Sequence, residues 1–365
     1  MGDGVRETGG PDSAFDRRPP RRSPWGRRSP YGYPRRDGPG EGRATYAALD
    51  LGTNNCRLLV ARPTGDTFRV IDAFSRIIRL GEGISTSGVI SEPAIGRAIE
   101  ALSVCRDKMR NRNVRRARLI ATEACRSAGN GQDFRTRVVE ATGLELEIID
   151  RETEATLAAT GCTPLVDPES DGVVLFDIGG GSSELVRLER SQQNGGGPAP
   201  PKMRGWISLP HGVVTLAEKY GGTDVGAATF DAMVDEISLA LTPFVEAYGS
   251  DVGGIHLLGT SGTVTTIAGV HLALRRYERS RVDGAWMTAP EIETVIDRLL
   301  AMSYAERAAS PCIGPERADL VLAGCAILQA IRKAFPVPRL RVADRGLREG
   351  MLVQMMREDG VWAGR

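Results

Sequence analysis

Two stretches of this chain carry residue types suited to gripping a phosphate. In residues 173–186, VVLFDIGGGSSELV, an apolar run ends in Asp177, three glycines follow, and Ser182, Ser183 and Glu184 lead into a returning apolar segment. A hairpin turn made of Gly179, Gly180 and Gly181 has no Cβ atoms, so an anion can reach its backbone N–H donors. Asp177 and Glu184 flank that turn with negative charge, which repels phosphate unless a hard divalent cation lies between them. The pattern predicts a phosphoryl site assisted by Mg²⁺ or another divalent cation, against the plainer reading of a Gly-rich turn with solvated acids. LDLGTNNCRLLVAR, beginning at Leu49, overlays this stretch and puts Asp50 on Asp177 and Gly52 on Gly179. Its turn adds the side chains of Thr53, Asn54 and Asn55 as donors. Arg57 stands where the second copy has Glu184, so the copies differ chemically. The metal reading therefore falls on Asp177 and Glu184, with Asp50 opposite. A third turn, in GTSGTVTTIAG, joins a strand to a helix, and the amides of Gly259, Thr260, Ser261 and Gly262 could take an anion or let a nucleoside approach.

The elements that must position these turns follow from periodicity. From Tyr46 three strand-like runs separated by GTNN and PTGD predict an antiparallel meander. A helix over about 91–111, the strand ARLIAT, a helix near 134–141, the strand LELEIID and the helix ETEATLAATG complete a first unit. After the linker TPLVDPESDG the order restarts. Strands at 173, 183 and 203–209 are followed by a helix over 227–247, a strand at 255–258 and a helix after Gly262. Helices from about Pro290 and Pro315, the strand RLRVA and a last helix from Leu347 end the chain. The reading is an α/β protein of two related units, residues 44–164 and 165–358, with a ligand cleft between them and the last helix able to dock on the first unit.

Composition bounds the rest. The chain has 365 residues, and 47 basic residues nearly balance 46 acidic ones, which argues against a dedicated nucleic-acid binder. No apolar run is long enough to span a membrane. Six cysteines without a C-x-x-C pair read as buried small hydrophobes of a reducing compartment, and a cytoplasmic location is expected. Residues 1–43 are rich in Arg, Pro and Gly and are expected to be a disordered tail, able at most to make weak anion contacts; residues 359–365 form a second tail. Residues 190–205 read as a flexible hairpin insertion, and His211 as a surface or capping residue.

DLGTNNCRLLVA, ATEACRSAGN, ETEA, FDIGGGSSEL, LGTSGTVTTIAG and GLREGML, in this order and spacing, resemble the exopolyphosphatase/guanosine pentaphosphate phosphatase (Ppx/GppA) family over residues 46–356. The chain looks like the short, two-domain form of that family. The resemblance implies duplicated actin-like (ribonuclease H-like) domains. It also implies hydrolysis of a terminal phosphoanhydride, with inorganic polyphosphate as substrate and guanosine pentaphosphate as the alternative. A kinase or ATPase of the same superfamily and a non-catalytic polyphosphate or alarmone sensor are further readings. The resemblance selects Glu154 as the residue that orients or deprotonates the attacking water, a role a carboxylate suits, although an acid in a first helical turn is also simply dipole-stabilised. It likewise selects Arg126 as a catalytic, phosphate-binding guanidinium. Arg348 and Glu349 of the closing motif read first as docking charges and second as substrate contacts. A homodimer is allowed.

Overall fold

The computed structural model describes residues 44–65, 67–190, 201–249 and 252–362. The basic tail, residues 191–200 of the insertion and the last three residues lie outside the described residues. The first sheet is built from β1 (Tyr46–Leu51), β2 (Asn55–Thr64), β3 (Thr67–Ile77), β4 (Arg116–Ala121) and β5 (Glu147–Ile148), in the order β3-β2-β1-β4-β5. β1 pairs antiparallel with β2 and parallel with β4. The second sheet contains β6 (Gly172–Ile178), β7 (Ser183–Glu189), β8 (Lys202–Leu209), β9 (Ile255–Thr260), β10 (Trp286–Thr288) and β11 (Arg339–Ala343), in the order β10-β11-β9-β6-β7-β8. Its run β8-β7-β6-β9-β11 repeats the first sheet strand for strand, and β10 is an added antiparallel edge. The fold is thus a duplicated actin-like α/β arrangement.

The helices are α1 (Ile84–Ser87), α2 (Glu92–Asn111), α3 (Glu123–Ser127), α4 (Gly131–Thr142) and α5 (Arg151–Cys162) in the first half. In the second they are α6 (Val213–Tyr220), α7 (Ala227–Tyr248), α8 (Ser261–His271), α9 (Arg279–Val282), α10 (Ala289–Ala301), α11 (Tyr304–Ala309), α12 (Val321–Ala334) and α13 (Leu347–Glu358). β1 is apolar apart from Asp50 because both of its faces are covered. Ala47, Leu49 and Leu51 pack toward the apolar stripe of α2, and Tyr46 and Ala48 pack against Met351, Leu352 and Met355 of α13. The sequence reading does not anticipate the three-residue β10, the eight-residue α6 or the short helices α1, α3, α9 and α11. The helix expected from Pro315 starts only at Val321, because Gly314 adopts φ 75 and residues 311–320 fold as successive turns.

Two helices are exchanged between the halves. α5 belongs to the first half by sequence, yet Ala155, Ala159 and Cys162 pack with Val173, Leu175 and Val186 of the second sheet. α13 belongs to the second half and lies on the first sheet. The two helices cross with backbone in contact. A Cβ on Gly161 would stand 2.0 Å from the carbonyl oxygen of Gly346, and one on Gly350 would stand 2.0 Å from that of Leu157. Only glycine permits this approach.

Candidate active site

The cleft between the sheets encloses about 950 Å³ and is walled by both hairpin turns. Hairpin register explains which side chains meet there. Asp50 lies opposite Arg57 across β1 and β2, and Asp177 lies opposite Glu184 across β6 and β7, so each pair projects on one face beside its turn. The turns themselves touch. A Cβ on Gly180 would be 3.0 Å from Thr53 Cβ and 3.2 Å from the Asn54 amide nitrogen, and one on Gly181 would be 2.8 Å from Thr53 Oγ1.

Not every amide of the turns is offered to a ligand. Gly52 donates to the Asn55 carbonyl at 2.9 Å and Gly179 to the Ser182 carbonyl at 2.9 Å, so these two N–H groups close their own turns. The N–H groups of Thr53, Asn54, Gly180 and Gly181 have no partner among the described residues. The side chains of Asn54 and Asn55 each leave a buried Oδ1 without a partner, and either amide can turn to present its NH₂ instead. Ser183 is wholly buried and donates to the His211 carbonyl at 2.7 Å, so it faces away from the cleft, unlike Ser182. Gly259 lies inside β9, where a Cβ would collide with the Phe176 ring at 2.5 Å; it is a packing glycine rather than a ligand contact. Thr260, Ser261 and Gly262 do line the cleft. Ser261 is held at φ 83, a conformation costly for a residue with a Cβ, and its hydroxyl donates to the Ile178 carbonyl at 2.6 Å, bracing the second hairpin at its turn.

The acids gather at the bottom of the cleft. Burial pushes Asp177 up to about 6, with the negative charge of Asp50 adding to the rise. Glu184 is pushed up to about 7 by burial and by Asp177, although Ser208 donates to its Oε1 at 2.8 Å. Asp50 is raised by burial against the opposing pull of Arg57 and Arg348. Glu154, at the start of α5, is raised well above the usual carboxylate range by burial and by Glu184, with Arg126 acting against both. These are hard oxygen donors whose charges the surrounding protein compensates only in part, the condition a hydrated divalent cation relieves. Among the described residues no three carboxylate, imidazole or thiol side chains stand close enough to enclose an ion alone. The donor set therefore suits an ion that keeps water and takes phosphate oxygens, as Mg²⁺ does.

Arg126 is placed differently from the sequence expectation. It sits behind Glu154, outside the cleft wall. Its Nε and Nη2 donate to Glu123 Oε2 at 3.1 and 2.8 Å, and its Nη1 donates to the Ile149 carbonyl at 2.8 Å. Nη2 also lies 2.8 Å from Glu154 Oε2, an ion pair without an aligned hydrogen bond. With its donors committed, Arg126 holds the Glu154 carboxylate rather than reaching a ligand. The cleft's own guanidinium groups are Arg57, Arg279, Arg317, Arg345 and Arg348. Sequence reading missed Arg317. Its guanidinium has no hydrogen-bond or ion-pair partner among the described residues, and burial together with the like charge of Arg57 lowers its pKa. Nothing in the local sequence marks it, because the turn that aims it is set by Gly314 and by Asp319, which pairs with Arg79 of the opposite half at 2.9 Å. Arg345 pairs with Asp283, and Glu349 accepts from the Gly346 amide at 2.9 Å, so both act on the structure around Arg348.

The sequence pattern of the Ppx/GppA phosphatase family matches residues 59–359. A curated relative from Photobacterium profundum, described as guanosine-5'-triphosphate,3'-diphosphate pyrophosphatase, is 27% identical over 312 residues; the match covers 85% of this chain and 59% of the relative. The chain thus spans well under two thirds of that relative's length. Among solved structures, the Ppx/GppA family member of Aquifex aeolicus superposes with a TM-score of 0.72 at 27% identity, covering 87% of this chain and 99% of that one. An exopolyphosphatase from Cytophaga hutchinsonii superposes with a TM-score of 0.77 at 24% identity, covering 88% of this chain and all of that one, and speaks for the fold alone.

Proposed function

The chain belongs to the Ppx/GppA phosphatase family, and from that premise we propose that it hydrolyses terminal phosphoanhydride bonds, releasing orthophosphate from inorganic polyphosphate. The observation that carries this reading is the meeting of four unpartnered amides, of Thr53, Asn54, Gly180 and Gly181, with the buried carboxylate of Glu154 in one cleft. Amide donors fixed in advance at the equatorial oxygens need no reorganisation as charge develops on them. The hydroxyls of Thr53 and Ser182 add donors at the same place. Arg57 and Arg317 offset the charge of the phosphates behind the terminal one, and Arg317 gains the partner it lacks.

Glu154 takes the water. Its raised pKa makes its carboxylate a stronger base than an exposed glutamate's, and the Arg126 ion pair opposes that rise and fixes the group in place. The water oxygen bonds to the terminal phosphorus as the anhydride P–O bond breaks. The electron pair of that bond stays on the leaving oxygen of the shortened chain, and the water proton passes to Glu154. Asp50, Asp177 and Glu184 would hold Mg²⁺, which when bound supplies charge neutralisation for the phosphates.

The 27% identical relative named for guanosine-5'-triphosphate,3'-diphosphate favours a second substrate reading. Its support on this chain is the apolar outer part of the cleft, where Phe74, Pro311 and Ile313 could take a base. Orthophosphate release from polyphosphate and from guanosine pentaphosphate, side by side with and without Mg²⁺, tests both readings. Glu154→Gln should keep KM nearly unchanged while kcat falls by about a hundredfold or more. Turnover unchanged in that variant refutes the role given to Glu154.

A further inference from the structure

A second inter-lobe cavity, of about 570 Å³, lies on the far side of the two hairpin turns from the main cleft. Thr53, Glu123 and Gly181 line both spaces, so the wall between them is one residue thick. We propose that this second cavity is the exit for orthophosphate, which leaves through it while the shortened substrate still fills the cleft. The proposal rests on the hydrolase reading above.

The argument is one of access. If the terminal phosphoryl group is bound at the turns, the rest of the substrate runs outward past Arg57 and Arg317 toward the mouth. After cleavage the orthophosphate is at the closed inner end, and the remaining chain blocks the way it came in. Release by the same mouth requires the chain to leave first. Release through the wall does not.

The wall is built to part. Among the described residues no hydrogen bond joins the turn at Thr53 to the turn at Gly180 and Gly181, and their contact is van der Waals. Lobes separated by a few tenths of an ångström would break no bond there. What ties the lobes at the outer rim of this cavity is Glu218 of α6, which accepts from the Gly83 amide at 2.8 Å and from the Ser85 hydroxyl. Most of the charged groups along the route are already paired, while Glu218 accepts only from neutral donors among the described residues and keeps its charge. Glu123 is held between Arg126 and Arg151, and Glu236 accepts from Lys219 and Tyr220, both at 2.6 Å, and faces His211 at 3.1 Å. A passage with few unspent charges neither repels phosphate strongly nor holds it, which suits an exit better than a binding site.

Thr86 lines this cavity from the four-residue helix α1, is exposed, and among the described residues hydrogen-bonds only within its own turn, to the Gly83 carbonyl, so Thr86→Trp fills the exit from outside with little risk to folding. Two readouts on the full chain separate formation from escape. Acid quench measures all orthophosphate formed, and a fluorescent phosphate sensor in solution measures only what has left. For Thr86→Trp with polyphosphate and Mg²⁺, formation in a single turnover should match wild type while release slows by about tenfold or more. In ¹⁸O-labelled water the wild type should place about one solvent oxygen in each phosphate. The plugged variant should place more, because retained orthophosphate can re-form the anhydride and be hydrolysed again. Thr86→Ala should behave as wild type in both assays. Release and oxygen content unchanged in Thr86→Trp overturn the exit, and so does a matching fall of formation and release. Wild-type protein that forms no orthophosphate at all overturns the hydrolase reading instead, before any variant is made.

Discussion

Replacing Glu184 by glutamine should make the protein more stable and inactive at the same time, but only above neutral pH. The carboxyl is 2% exposed and is raised from 4.5 to about 7, mainly by burial and then by Asp177. The native state therefore holds this proton more tightly than the unfolded chain does. The carboxyl's favourable contribution is complete below about 4.5 and is lost as pH rises through about 7. At pH 8 the ionised group costs on the order of 3 kcal/mol, from roughly 2.5 units at 1.36 kcal/mol each. Glutamine keeps the size and an acceptor for Ser208, and it has no charge to desolvate. Thermal and urea unfolding of metal-free protein should thus give Glu184→Gln an advantage of about 2–4 kcal/mol at pH 8 and almost none at pH 5, where the wild-type carboxyl is protonated in the native state. Mg²⁺ should raise the wild-type midpoint at pH 8 and move the variant far less. A variant no more stable than wild type at pH 8 would show that the buried charge is compensated by the protein itself, and the argument for a cation at Asp177 and Glu184 would go with it.

Arg317→Gln should raise KM for polyphosphate by about tenfold to a hundredfold, the worth of a charge-assisted hydrogen bond, with a smaller change in kcat; steady-state kinetics with equal effects on both constants would move Arg317 from substrate binding to the transition state. Two glycine replacements should have opposite signs in denaturant unfolding. Gly350→Ala drives a Cβ to 2.0 Å from the Leu157 carbonyl and should cost about 1–3 kcal/mol or more, whereas Gly96→Ala on the exposed side of α2 meets nothing within 4 Å and should stabilise by about 0.5–1 kcal/mol.

Much of the fold is legible in the sequence because duplication is self-checking. The apolar run before Asp50 and the one before Asp177 each read as a strand, and their alignment fixes register across both halves at once. Charge state and aim are not legible in the same way. Arg126 has the right type and the right motif for a phosphate ligand, and only the coordinates bring Glu123 and the Ile149 carbonyl to its donors. Gly52 and Gly179 look like ligand-facing glycines in a string of letters. Which amides a tight turn spends on itself depends on backbone angles, and here the free donors fall one and two residues later. Arg317 was silent because its partnerless state is a property of its surroundings, set by a turn that ends where a helix had been expected to begin.

The exchange of α5 and α13 has a consequence for how the site assembles. Glu154 starts a helix that packs on the second sheet, and Arg348 starts one that packs on the first, so each lobe carries a cleft residue supplied by the other half of the sequence. The crossing at Gly161 and Gly350 brings the two helices into backbone contact, and both helix starts contribute to the cleft wall, Glu154 from one and Leu347, Arg348 and Glu349 from the other. The first sheet carries the Thr53 turn without Glu154, whose helix packs on the second sheet beside the Gly180 turn. In the proposed reaction, water activation by Glu154 and phosphate binding at the Thr53 turn are therefore coupled to how the lobes sit against each other, since Glu154 travels with one sheet and Thr53 with the other. Under the proposed function, an unseated chain end leaves Glu154 without an electrophile within reach, so the division favours reaction of a seated end.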